Sequence, residues 1–238
     1  MIEEIKQAAE LSNRCQRNWD HDATISGEHL QTILHCIQHA PTKQNETHYK
    51  VFYTTDPDLI YRIYGKTKHF AVTPYTGIAD FTDNDGRTQL DYNVRNSQVN
   101  ANLLIAFCDD WDQDKSRSLI HKIVDERSDA TPTAHKEKEK QRFFSMGIAA
   151  GEVLMAANLL GYRTGLCSAF WPDEMKDFFD GSFLRILVGV GIPHPDKDRR
   201  EHEETTNKNI VAIDRRNGPD NEKWLFPTFK KEVTIKEL

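Results

Sequence analysis

Phe144-Ser-Met-Gly147-Ile-Ala-Ala-Gly151-Glu-Val-Leu-Met-Ala-Ala-Asn158-Leu-Leu-Gly161-Tyr-Arg-Thr-Gly165-Leu-Cys-Ser-Ala-Phe170 is the stretch whose reading decides the fold. Its first part has the density of Ala and Gly expected of a long helix whose neighbours come very close. The reading is a helix wrapped in protein on most sides, at the centre of a tight domain or dimer, rather than an ordinary amphipathic surface helix. Gly161 stops it, because glycine takes the left-handed conformation that closes a helix without a Cβ penalty. The run Gly165 to Phe170 is extended, with small side chains and accessible backbone amides, a surface suited to lie against a flat ligand.

Outward from this centre, helix and strand patterns alternate. Ile2 to Asn13 has a helical pattern, which gives way to the basic and aromatic run Arg14-Cys-Gln-Arg17-Asn-Trp19. Ser26 caps a second helix carrying Leu30, Ile33, Leu34 and Ile37 on one face. Pro41 ends it, since the residue before a proline disfavours the α region. Tyr49 to Tyr53 alternates as a strand, and Asp56-Pro57 opens a short helix through Leu59, Ile60 and Ile63. Thr73 to Arg95 is polar and long for an unstructured connection, the mark of a binding loop. Asn102 to Cys108 and Leu184 to Val190 are continuous apolar runs, hence strands buried on both faces. Leu119, Ile120, Ile123 and Val124 mark a helix. Asp129 to Lys140, charged and containing Pro132, reads as a solvated excursion. Pro172 begins a helix through Met175 and Phe179. The polar tail from Asn207 to Leu238 carries Trp224, Leu225, Phe226 and Phe229 as anchors for another surface. Strands alternating with helices give an α+β or α/β domain.

Composition narrows the function. The chain has 238 residues, a net charge of −6 and a charged fraction of 29%; its mean hydropathy is −0.67. No global charge suits nucleic acid, no apolar run suits a membrane, and the start lacks a signal-peptide pattern. Cys15, Cys36, Cys108 and Cys167 form no CxxC pair, which suits free thiols in the cytoplasm.

Three polar clusters stand where plain turns are expected. Arg14 and Arg17 suit an anionic phosphate or the electron-rich edge of a cofactor, and equally a basic helix end that complements the macrodipole. Thr42, Lys43 and Asn45 offer donors, in what is otherwise a polar turn before a strand. Arg199 and Arg200 follow the strand ending at Val190, a place for phosphate capture or for a solvated charge run. His35 and His39 lie at i, i+4 beside Cys36 but lack further ligands, so no metal is expected. Cys167 has no nucleophile elbow and no histidine partner, and reads as a packing thiol. Neither a Rossmann glycine motif nor a P-loop is present.

Taken together, these segments resemble the nitroreductase family of FMN-dependent, NAD(P)H-oxidising flavoproteins. Arg14-Cys-Gln-Arg17-Asn-Trp19 is similar to the family's N-terminal Arg-Ser-x-Arg-x-Phe. Ala40-Pro-Thr-Lys-Gln-Asn45 through Val51 is similar to its Ala-Pro-Ser-x-x-Asn segment. Asn96-Ser-Gln98 leads into a core strand as the family's loop does. Gly147 to Phe170 resembles its small-residue helix and flavin-facing strand, and Gly189-Val-Gly-Ile-Pro193 its closing Gly-x-Pro. The order runs from Arg14 to Arg200.

The resemblance implies one α+β domain over 1–238, a central mixed β-sheet flanked by helices. It implies an intertwined homodimer with FMN at the interface and a C-terminal arm, about 207–238, around the partner. Arg14, Cys15 and Arg17 would line the phosphate and pyrimidine side of FMN, and Arg199 and Arg200 would hold the phosphate. Pro41, Thr42, Lys43 and Asn45 would approach from the other subunit. Asn96 and Gln98 would face the ring's polar edge, while Leu166, Cys167, Ser168 and Ala169 lie along the isoalloxazine. No catalytic side chain is expected, because the chemistry belongs to the flavin. NAD(P)H would donate, and a nitroaromatic, quinone or enone would accept. A flavin-storage or sensor protein with little turnover, or a structural dimer without flavin, are the alternatives. Cys15 stands where the family has serine, and Thr42-Lys43 where it has Ser-Ser.

Overall fold

The structure is a computed structural model that describes residues 1–42, 45, 47, 49–68, 70–72, 91–110, 132–199 and 234–235. A four-stranded sheet organises it, in the order β1 (Tyr49–Thr54), β4 (Leu103–Asp109), β6 (Leu184–Gly191) and β5 (Arg163–Cys167). Every pairing in it is antiparallel. A mixed sheet would need a parallel pairing, and none occurs among the described residues. β2 (Phe70–Val72) and β3 (Asp91–Val94) form a separate antiparallel pair.

Alternation along β4 sorts the core onto the two faces of the sheet. Leu103, Ile105 and Phe107 join Val188 and Val190 on one face. There they meet Ile33 and Ile37 of α2 (Gly27–His39) and Met146, Ala149, Ala150, Val153 and Ala157 of α4 (Pro132–Leu159). Leu104, Ala106 and Cys108 point the other way, onto Ile60, Ile63 and Tyr64 of α3 (Pro57–Tyr64). Met175 of α5 (Pro172–Met175) and Phe179 complete that side. α1 (Ile2–Ser12) packs on α4. The result is helix, sheet, helix in three layers, with β4 buried along its whole length.

The element ends follow local chemistry. Ser26 Oγ accepts from the His29 N–H at 3.2 Å, and Asp56 Oδ1 accepts from Asp58 N–H at 3.0 Å with Pro57 in the first turn. At the end of α4, Gly161 has φ +92°. Tyr162 N–H reaches Ala157 O at 2.9 Å and Gly161 N–H reaches Asn158 O at 3.2 Å, the paired bonds of a Schellman stop.

Three expectations change. Residues 132–140 are not an excursion but the opening turns of α4, with Pro132 at its first position. Proline is tolerated there because its missing N–H would be unbonded anyway, and the Ala, Lys, Glu, Gln and Arg that follow are strong helix formers. Asp91–Val94 of the long polar stretch is a strand, while residues 73–90 lie outside the described residues, as do the helix expected at Leu119–Val124 and the tail anchors Trp224–Phe229. Finally, among the described residues the chain itself covers α4 on one side only, so cover on most sides requires a second chain. Phe144 is 67% exposed and Ile148 45%, and beside them a Cβ at Gly147 or Gly151 would meet nothing within 4 Å.

Candidate functional site

The chain leaving α1 is threaded between β5 and the loop after β6. Gln16 N–H bonds Thr164 O at 2.9 Å, Arg17 N–H bonds Arg199 O at 3.1 Å, and Asp20 N–H bonds Ile192 O at 2.9 Å. Asn18 Nδ2 donates to Asp198 O at 2.7 Å, and Trp19 Nε1 to Ser97 O at 2.9 Å. These bonds bring four segments distant in sequence to one place. The pocket they border, of about 290 Å³, is lined by Arg14, Arg163, Lys197, Arg199 and His194 among others, and among the described residues by no carboxylate. Four permanent cations face one small volume, a donor set that fits a phosphate dianion.

Arg14 and Arg199, both singled out in the sequence, line the same pocket. Lys197, Arg163 and His194 were not anticipated. Lys197 had a signal, since it stands two residues before Arg199 in the same charged run. Arg163 had none: it opens β5, and only the packing of α1 against β5 carries it to the pocket. There its Nη1 donates to Tyr162 O at 2.9 Å and Gly161 O at 3.4 Å, which anchors the guanidinium at the end of α4. His194 Nδ1 accepts from Asp196 N–H at 3.2 Å, which tightens the loop holding Lys197. Arg200 and Lys43 lie outside the described residues.

Along β5 from this pocket comes the segment Leu166–Ala169. Leu166 is half-buried, Cys167 buried and Ser168 exposed. Asn96 and Gln98 do reach it, but as braces. Gln98 Nε2 donates to Leu166 O at 3.0 Å and to Asn96 Oδ1 at 3.2 Å, and Asn96 Nδ2 donates to Lys68 O at 3.3 Å. Gln98 Oε1 is buried without a hydrogen-bond partner among the described residues. The smallness of Gly165 has a different use from the one the sequence suggested. A Cβ there would meet Gln98 O at 2.8 Å and Gln16 O at 3.1 Å. The glycine clears room for this chain's own 3-10 turn, Ser97–Val99, and the flat-ligand reading narrows to the residues after it.

Cys167 is confirmed as a packing thiol. Its sulfur accepts from Ala169 N–H at 3.4 Å, and burial pushes its pKa up to about 12. The Ala169 carbonyl accepts from Lys68 N–H at 2.8 Å. Cys15 is half-buried and lies near enough to Cys167 to add to that shift. Pro41, Thr42 and Asn45 follow α2 and do not line the cationic pocket; Asn45 takes a left-handed φ of 57° and bonds Thr42 O at 3.2 Å. Among the described residues no group of three metal ligands exists, and no helix is long and apolar enough to cross a membrane.

The Nitroreductase family profile matches residues 12–192, most of the chain, and the chain belongs to that family. Solved structures agree in fold. NfrA2 of B. megaterium superposes with a TM-score of 0.56 at 18% identity, over 83% of this chain and 69% of that one. The NADPH:FMN oxidoreductase of Vibrio harveyi, complexed with NAD+, gives 0.52 at 16%, over 97% and 80%. The oxidoreductase YcnD of Bacillus subtilis, described as hypothetical, gives 0.54 at 19%, over 83% and 68%. No curated protein sequence matches the chain.

Proposed function

We propose that the protein is an FMN-dependent oxidoreductase that passes hydride from NAD(P)H to a small acceptor such as a nitroaromatic, quinone or enone. Family membership supports the coarse reading, a flavin-using oxidoreductase. The observation that carries it further is the cationic pocket lined by Arg14, Arg163, Lys197 and Arg199. β5 from Arg163 to Cys167 rises roughly 13 Å, and the chain continues through Ser168 to Ala169. That is the reach needed to seat a phosphate at one end and a ring system at the other. Arg14, Lys197 and Arg199 would hold the phosphate, with Arg163 fixed beside them. The backbone of Leu166–Ala169 would lie along the ring, braced by Gln98 and Asn96. FMN supplies the hydride chemistry when bound, and the chain's residues bind it, orient it and place positive charge at its phosphate end.

The working unit is a two-fold homodimer. The bare face of α4 around Phe144, Gly147, Ile148 and Gly151 supports this, because an apolar strip with two glycines admits a second helix closely. Ala150, 3% exposed, belongs instead to the chain's own core. The purified protein is expected to be yellow, to release FMN on denaturation and to oxidise NADH or NADPH when an acceptor is added. A protein that holds FMN but oxidises neither nucleotide would be a flavin-binding protein without turnover. A colourless protein that also refuses added FMN would overturn the reading.

A further inference from the structure

Lys68 sits in the same backbone block as the segment assigned to the flavin ring. Its N–H bonds Ala169 O, its carbonyl receives Asn96 Nδ2, and the neighbouring Thr67 pairs with Phe170 in an antiparallel bridge. Thr67 Oγ1 donates to Tyr64 O at 2.8 Å and accepts from Asn96 N–H at 3.3 Å, so this block is tied to α3 and to the loop before β4. The Lys68 backbone is therefore fixed relative to Ala169.

Its side chain does something unusual for a lysine at a protein surface. The Lys68 Nζ lies 3.6 Å from the centroid of the Trp171 ring, and among the described residues no carboxylate pairs with it. The nearby Asp173 is engaged by Lys176 at 2.7 Å. Trp171 is 57% exposed, follows the buried Phe170 and precedes Pro172, which limits its backbone. A large aromatic surface thus stands open two residues beyond Ala169, with an ammonium held on it, among the described residues, by the ring quadrupole.

We infer that Lys68 and Trp171 form a wall of the acceptor site and select aromatic acceptors that carry an anionic group on the ring, such as nitroaromatic carboxylates. The inference rests on the flavin reading above and names the substrate class for that same site. With the ammonium over one face of the indole, an aromatic acceptor can pack against the ring edge beside it, where the ammonium can meet a carboxylate attached directly to the acceptor. A dinucleotide's phosphates stand too far from the nicotinamide for the same contact at the same time as ring stacking.

The test compares 4-nitrobenzoate with its neutral methyl ester. Dissociation constants are read from the visible spectrum of the oxidised FMN-loaded protein without turnover, at low and high salt, and KM values are read with NADPH present. The wild type is expected to favour the carboxylate, and high salt to reduce that preference. Lys68→Met keeps the aliphatic stem, and should lower the carboxylate-to-ester affinity ratio by about three- to tenfold. Trp171→Leu should weaken both compounds. FMN affinity measured on each variant reports whether the site is intact. Equal changes for both compounds in Lys68→Met, no carboxylate preference in the wild type, or a selective effect on NADPH instead, would each overturn the inference while leaving the flavin reading in place. A protein that binds no FMN would overturn both.

Discussion

A methyl group added at Gly189 would run into the carbonyl of Gln98 and come within 3.1 Å of Ala101 Cβ. Its register partner Gly165 faces the same turn, and at Gly191 a Cβ would come within 2.9 Å of Trp19. Three glycines on one side of two strands therefore make the bed for residues 96–102 and Trp19, the frame that holds Arg17 and braces Leu166. Gly189→Ala should destabilise the protein by about 1–3 kcal/mol or more, because the obstacle is backbone and cannot step aside. A thermal melt at unchanged midpoint would contradict this packing. The cysteines give a second residue-scale outcome. Burial raises both Cys108 and Cys167 to about 12, so both stay protonated at pH 8 in the folded state. Alkylation read by mass spectrometry should label Cys15 first and reach Cys108 and Cys167 only on unfolding. The linkage has a definite sign. The unfolded thiols lose protons above pH 9.0 while the folded ones keep them, so this contribution to stability falls as pH rises from about 9 towards 12. Rapid labelling of Cys167 in the native protein would revive a nucleophilic thiol.

Elements were legible in the sequence where pattern and cap agreed. Ser26, the Asp56-Pro57 pair and Gly161 each mark an end by local bonding, and β4 is a long apolar run with no competing reading. The start of α4 was not legible, because a proline within a charged run is a breaker in most settings and an opener only at the first helical position. β3 was hidden for a different reason: its pairing with β2 is non-local, so no alternation within four residues announces it. A further feature comes from the bulge in β6. Phe107 faces Ile186 and Cys108 faces Leu184, which leaves Arg185 as the extra residue. Its guanidinium meets Asp109, with Nη2 to Oδ2 at 2.7 Å and Nε to both oxygens at 3.0 Å, and Arg142 of α4 adds a contact at 3.4 Å. Asp109 is buried, so this cluster locks α4 to the sheet. Asp109→Asn removes the buried carboxylate charge that both guanidiniums share and should cost about 3–5 kcal/mol in a denaturant titration. A loss below about 1 kcal/mol would show that the cluster is solvated.

At the scale of the whole molecule, the site is a meeting of the end of α1, the start of β5 and the loop after β6. The sequence supplied Arg14 and Arg199 through the order of motifs, but it could not supply Arg163, whose place depends on tertiary packing. The proposed dimer also belongs to this scale. Ile148→Asp, on the exposed face of α4, should shift sedimentation of the protein from dimer to monomer while leaving the fold, since a charge there is solvated in the single chain. An unchanged sedimentation coefficient would place the contact elsewhere. The most direct test of the central claim is a paired titration of the flavin-free protein with FMN and with riboflavin, in the wild type and in Arg199→Ala with Lys197→Ala. These ligands differ only in the phosphate. The expected result is tight FMN binding by the wild type and a loss on the order of tenfold or more for FMN in the double variant, with riboflavin nearly unaffected. Equal losses for both ligands, or no preference for FMN in the wild type, would contradict the assignment of the cationic pocket to a flavin phosphate.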